Sequence, residues 1–304
     1  MNKMLNNLIV ACMPLVPRGI IHRISTRYIA GDQLTDAINT SKQLKSEDGA
    51  LSTIDVLGEF VENRDMAVKE TSESRRTLET IIAEKLVDQT GLSVKPTSLG
   101  LGLDKDFAYE NIRSLVELAR DNGIFVRIDM ENTPYTDDTL ALYRRLRDAG
   151  YDNVGIVLQA MLRRTVADVE SLMDYKPAIR LCKGIYKEKP DVAYQGREEV
   201  RDNYKKLLRM ILDGGMYCAI ATHDDPLIDD AMEQIKERNL AADQYEFQML
   251  LGVRPQKRRE ILRAGHRLRV YVPFGEDWYG YSSRRLKENP DMAGMILKAV
   301  LTGK

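Results

Sequence analysis

The chain has 304 residues, 43% of them hydrophobic, which is enough for one large buried core and fits either two modest domains or a single α/β barrel. Its 45 basic and 46 acidic residues leave a formal charge of −1, without the cationic surplus that binding a nucleic-acid backbone requires. Three scattered cysteines, Cys12, Cys182 and Cys218, make neither a disulfide framework nor a zinc knuckle and fit a reducing, cytoplasmic setting.

In chain order the first element is the apolar run 8–16, "LIVACMPLV", which follows Lys3. No small-residue cleavage site comes after it, since Pro17-Arg18-Gly19 follows. The run is also shorter than the roughly 20 residues that span a bilayer. It reads as part of an N-terminal helical arm, residues 1–45, packed on the body. The neighbouring Arg18, His22, Arg23 and Arg27 leave peripheral contact with the inner face of the cell membrane as the alternative.

From Thr53 onward, eight short runs alternate with amphipathic segments: 53–57 "TIDVL", 92–96 "LSVKP", 124–130 "IFVRIDM", 154–159 "VGIVLQ", 178–182 "AIRLC", 217–222 "YCAIAT", 245–250 "YEFQML" and 268–274 "LRVYVPF". Most read as near-continuous apolar runs, the pattern of parallel strands covered on both faces. Between them, Tyr109, Ile112, Leu115, Val116 and Ala119 share one helix face, with Glu110, Arg113, Glu117 and Arg120 opposite. The "GLGLD" piece at 100–104 lacks the third glycine of a dinucleotide fingerprint and reads as a turn. Asn289-Pro290 supplies a cap and first-turn proline for a last helix. Eight strand-helix units in about 250 residues predict a (β/α)8 TIM barrel over 46–304, one catalytic domain of the α/β class.

Barrel active sites gather at the C-terminal ends of the strands. Here those ends carry Glu59, Lys95, Asp129, Glu131, Gln159, Arg180, Lys183, Thr222, His223, Glu246, Gln248 and Tyr271. A structural ion pair would explain any one of them, but their joint placement on one rim points to a site. His22, His223 and His266 are widely separated and lack HExxH spacing, which argues against a metal centre. Cys182 and Cys218, inside strand runs, read as buried thiols. The charged segment 187–199, "KEKPDVAYQGREE", reads as a solvated connection, with a lid as the alternative. Near the end of the chain Tyr281, Arg284 and Arg285 stand at i, i+3 and i+4 on one helix face. Two adjacent guanidinium groups suit a carboxylate or phosphate clamp, with ion pairing to Glu288 as the plainer alternative.

The stretch "YSSRRLKEN" at 281–289 resembles the YxxRRxxEN-type signature of the proline dehydrogenase family. "IDVLGE", "SVKPTSLGLG", "RIDMEN", "IVLQAMLRRT", "IRLCKGIY", "IATHD", "FQMLLG" and "VYVPFG" resemble its other blocks in the same order, from Asp55 to Asn289. The length resembles the bacterial monofunctional members. The resemblance implies a distorted TIM barrel holding FAD, which oxidises L-proline to Δ1-pyrroline-5-carboxylate and passes electrons to a membrane quinone. A separate pyrroline-5-carboxylate dehydrogenase would act next.

On this resemblance, Lys95, Arg284 and Arg285 bind the substrate carboxylate, while Tyr186, Tyr271 and Tyr281 wall its ring. Met130, Gln159, Arg180, Lys183, Gly184, Ile185, Thr222, His223 and Gln248 hold FAD. Arg180 lies beside the flavin N5, and Asp129 and Glu288 steady the cationic groups. Tyr271 favours proline over hydroxyproline. Pro96, directly after Lys95, and Ser282-Ser283 depart from the family pattern. The alternatives are a hydroxyproline or other cyclic amino-acid dehydrogenase, a Schiff-base enzyme built on Lys95 or Lys183, and a non-catalytic sensor.

Overall fold

The eight short runs form eight parallel strands: β1 (Leu51–Val56), β2 (Thr90–Val94), β3 (Val126–Ile128), β4 (Val154–Gln159), β5 (Ile179–Cys182), β6 (Cys218–Ala221), β7 (Tyr245–Leu250) and β8 (Leu268–Phe274). Each pairs with the next, and β8 pairs with β1 from Leu51↔Arg269 to Val56↔Phe274, so the barrel closes in chain order. This computed structural model describes residues 27–276 and Trp278. The helices are α1 (Leu34–Asp48), α2 (Arg64–Ala83), α3 (Lys105–Asp121), α4 (Thr136–Asp148), α5 (Thr165–Glu170), α6 (Arg197–Asp213), α7 (Asp225–Glu237) and α8 (Pro255–Arg263).

The strands differ from the expected continuous apolar runs. Only β4 and β6 read that way; the other six alternate, because one face meets helices and the other meets a polar lumen. Ile54, Leu92, Val126, Ile179, Phe247 and Val270 point outward and are fully buried beneath the helices. Their neighbours Asp55, Ser93, Arg127, Arg180, Glu246 and Arg269 point inward and are linked by hydrogen bonds. The apolar core is therefore the shell between strands and helices, where Leu78 and Ile81 of α2, Tyr143 of α4 and Tyr204 of α6 are sealed from solvent.

Local signals place the helices as their sequences dictate. Asp104 ends the "GLGLD" turn and caps α3, accepting from the N–H groups of Asp106 and Phe107 at 3.0 Å each. The inward stripe of α3 is Tyr109, Ile112, Leu115, Val116 and Ala119, all buried. On its outer face Arg113 pairs with Glu110 and Glu117. Asn63 caps α2 through the Met66 N–H at 2.9 Å. Helix α1 covers the seam between β8 and β1, and its last residue, Asp48, is gripped by Arg258 and Arg259 of α8.

The segment 187–199 is held more firmly than a solvated connection. Glu188 accepts from the Thr133 N–H at 2.8 Å, Arg163 donates through its backbone N–H to Val192 O and through Nε to Pro190 O, and Arg197 already begins α6. Met161, Leu162 and Ala193 form a small apolar cluster beneath it, with Tyr186, Val192 and Val200 packed alongside. Among the described residues no helix is long and apolar enough to cross a membrane.

Gly155 marks how tightly the lumen is filled: a Cβ there would lie 2.5 Å from both Ala178 O and Arg127 Nη1, and 2.7 Å from the Phe125 ring. Gly155→Ala should therefore destabilise the barrel by about 1–3 kcal/mol through overpacking. Urea unfolding monitored by circular dichroism measures this, and an unchanged midpoint would contradict the packing described.

Candidate active site

The lumen floor is a chain of ion pairs rising from the N-terminal to the C-terminal ends of the strands. At the bottom, Arg269 donates to Glu246 at 2.8 Å and to Ser52 O at 2.7 Å. Arg127 donates to the carbonyls of Ile156 and Ala178. Burial and the nearby Arg180 guanidinium lower Arg127 to about 9. Burial alone would raise the Glu246 carboxyl, but Arg269 outweighs it and holds the group below the usual carboxylate range. Glu246 was expected on the rim; it lies one layer below, where it accepts from Gln248 at 2.5 Å.

The next layer centres on Arg180. Its Nε donates to Gln248 at 2.6 Å, one Nη to Asp129 at 2.6 Å, and the other Nη to Ser93 at 3.1 Å, while the guanidinium lies 5.3 Å from the centre of the Tyr271 ring. Tyr271 in turn donates to the second oxygen of Asp129 at 2.9 Å. Both carboxylate oxygens of Asp129 are thus engaged. Beside it, Lys95 donates to Asp55 at 2.5 Å, with both side chains buried. Burial pushes Asp55 up to about 6 against the pull of Lys95. Burial alone would lower the Lys95 ammonium, but Asp55, Asp129 and Glu59 raise it above its ordinary value. The pair is therefore ionic at neutral pH.

Above this floor opens a cavity of 870 Å³. Lys95, Asp129, Met130, Gln159, Arg180, Lys183, Gly184, Ile185, Tyr186, Thr222, His223, Gln248 and Tyr271 all line it, as do Glu59 and Glu131. Tyr281, Arg284, Arg285 and Glu288 lie outside the described residues. Gln159 donates to Glu131 O at 2.8 Å, and among the described residues its buried Oε1 has no donor. Gly184, at φ +103, passes so close to Met161 that a Cβ would sit 2.5 Å from it; only glycine brings the backbone to the cavity here. His223 accepts from the Leu250 N–H at 3.0 Å, which fixes its ring tautomer and orientation. Cys182, expected to be buried, is half-buried and faces the cavity, while burial pushes the Cys218 thiol up to about 12.

Other residues enter that the sequence reading did not select. Asp224 receives Arg201 through two bonds, at 3.0 and 2.7 Å, together with Lys183 at 3.1 Å. These cations hold its carboxyl well below the usual range despite burial. Asp55, Arg127 and Arg269 were missed although the alternation "TIDV", "VRID" and "LRVY" carries a signal for each. Asp224 and Arg201 show no such periodic signal, because they meet only through the fold.

The family model described as proline dehydrogenase matches residues 37–296. Proline dehydrogenase 2 of Bacillus subtilis strain 168 is 41% identical over 274 residues, which cover 90% of this chain and 89% of the relative. The proline dehydrogenase of Deinococcus radiodurans is 34% identical, covering 92% of this chain and 91% of its own. Among solved structures, proline utilization A from Bdellovibrio bacteriovorus, inactivated by N-propargylglycine, superposes with a TM-score of 0.83 at 24% identity. The match covers 88% of this chain and 33% of that longer one, and shows the fold.

Glu131 generates a pH test. It accepts from the Thr97 N–H at 2.9 Å and hydroxyl at 2.5 Å, and burial nonetheless pushes its carboxyl up to about 7. A carboxyl raised above its ordinary 4.5 binds its proton more tightly folded than unfolded. The resulting stabilisation is complete below about 4.5 and lost as pH rises through about 7. The melting temperature of the wild type should therefore fall relative to that of Glu131→Gln from pH 5 to 7, and the difference should level off above. A difference independent of pH would show that the group titrates normally.

Proposed function

The chain belongs to the proline dehydrogenase family, and from that premise we propose that the cavity holds FAD and oxidises L-proline to Δ1-pyrroline-5-carboxylate, the first step of proline degradation, with a quinone as electron acceptor. The observation that carries this reading is the guanidinium of Arg180, locked at the centre of the floor by Asp129, Gln248 and Ser93. Bound FAD supplies the acceptor for the hydride that leaves the carbon next to the ring nitrogen.

The chain's own residues supply orientation and field. Arg180 is a fixed positive charge in a water-poor lumen and favours electron density placed above it. Gln159, whose Oε1 has no donor among the described residues, would accept from a ring N–H of the cofactor, and Met130 and Gln248 would help to hold it. Lys183, Gly184, Ile185, Thr222 and His223 border the β5 and β6 mouth, where basic side chains suit the phosphates of a dinucleotide. Lys95, joined by Arg284 and Arg285, would hold the substrate carboxylate, and Tyr186, Tyr271 and Tyr281 would exclude water from its ring. Asp129, with both oxygens occupied, positions Arg180 and Tyr271 instead of taking a proton, and Glu288 would serve the arginine pair similarly. A Schiff-base reading requires a neutral lysine amine, and the carboxylates around Lys95 keep it protonated.

The direct test is a visible spectrum of the purified protein before and after anaerobic addition of L-proline. A flavin band that bleaches is the expected result; a colourless protein that FAD fails to reconstitute would overturn the proposal. A second test separates charge balance from binding. Lys95→Met strands the buried Asp55 carboxylate and should cost about 3–5 kcal/mol of stability. The double variant Asp55→Asn/Lys95→Met should recover most of that in a denaturation assay. It should still show a KM for proline raised about 10- to 100-fold, the loss of a charge-assisted contact.

A further inference from the structure

Residues 27–31 precede every strand, yet they sit at the mouth of the barrel. The Ala30 N–H donates to Pro273 O at 2.9 Å and the Gly275 N–H to Gly31 O at 3.0 Å, so the segment is stitched to the end of β8. Its beginning runs across the turn after β7. Gly252 there has φ +72, and a Cβ on it would lie 1.8 Å from Arg27 O, so the two backbones can approach only because this residue is glycine. Between the two anchors, Tyr28 is 5% exposed and lines the same cavity as Leu250, Val253 and Tyr271.

We infer that Tyr28 is a specificity-determining residue, its side chain lining the cavity on the β7 and β8 side, where Tyr271 also lines it. The segment ahead of the barrel thereby takes part in choosing the substrate. This rests on the function proposed above. An aromatic ring has few rotamers and a large apolar area, so a wall built from one is stiff and rejects bulk. With Tyr271 contributed by β8 and Tyr28 by the arm, the space left for a ligand ring is bounded by two tyrosines that approach from different parts of the chain. A small unsubstituted ring is accommodated; one that carries an added hydroxyl meets the wall.

The test compares Tyr28→Ala, Tyr28→Phe and Gly252→Ala, the last of which displaces the segment without altering the ring. FAD content, melting temperature, and KM and kcat for L-proline and 4-hydroxyproline are measured on each purified holoenzyme. Tyr28→Ala and Gly252→Ala should retain FAD and raise the KM for proline about tenfold, with kcat changed less than about twofold. Their preference for hydroxyproline over proline, read as the ratio of kcat/KM values, should rise about tenfold, whereas Tyr28→Phe, which keeps the ring, should shift that ratio less than either. An unchanged KM and preference in Tyr28→Ala would overturn the assignment. So would a KM change that follows only loss of FAD or of melting temperature. A wild-type protein that fails to oxidise proline sinks the function itself and takes this inference with it, whereas an active wild type with a silent Tyr28→Ala sinks the inference alone.

Discussion

The structure depends on balancing buried charge inside the barrel. Arg127, Arg180, Arg269 and Lys95 face Asp55, Asp129 and Glu246 in a lumen that most barrels fill with branched apolar side chains. An isolated ion in that setting would cost several kcal/mol, so each charge is tied to a partner of opposite sign or to a carbonyl. The resulting chain of contacts fixes Arg180 to Asp129, Asp129 to Tyr271, and Lys95 to Asp55. Among the described residues, Glu59 and Glu131 add further acidic groups where this network meets the cavity.

The peripheral parts of the site follow a different logic. The loop after β5 begins with Lys183, paired with the buried Asp224, and is otherwise held by its backbone. It is sewn to the turn after β4 by backbone hydrogen bonds, with Met161 exchanging bonds with Lys183 O and the Tyr194 N–H. That stitching presents Gly184 and Ile185 to the cavity on a stiff support. A site built this way needs little rearrangement to receive a ligand, since its walls are already ordered.

Much of this was legible from the sequence, and the reason is specific. Gln159, Arg180, Gln248 and Tyr271 are polar residues within otherwise apolar runs, and a barrel sends strand ends to one rim. Helix α3 was readable because its apolar stripe and its charged face both fall at helix spacing. Asp55, Arg127 and Arg269 were overlooked because six alternating strands were taken for continuous apolar ones; the second face of each strand met charge where apolar packing was expected. Glu246 was placed a layer too high, since two residues along a strand separate one lumen layer from the next. Tyr28 and the Arg201–Asp224 pair have no signature in the chain, because only tertiary contacts bring them to the cavity.

The seam between β1 and β8 has a consequence in time. The bond from Arg269 to Ser52 O spans 217 residues, and the segment carrying Tyr28 is pinned to Pro273 and Gly275. At a synthesis rate of roughly 5–20 residues per second, the first strand waits roughly 10 to 40 s on the ribosome before its partner exists. Throughout that interval the edge of β1 that β8 will cover has no partner strand. The last step of folding, the arrival of β8, is then also the step that assembles the cavity. A chain truncated before Leu268 would lack β8, and with it both the closure of the barrel and the Tyr271 side of the cavity.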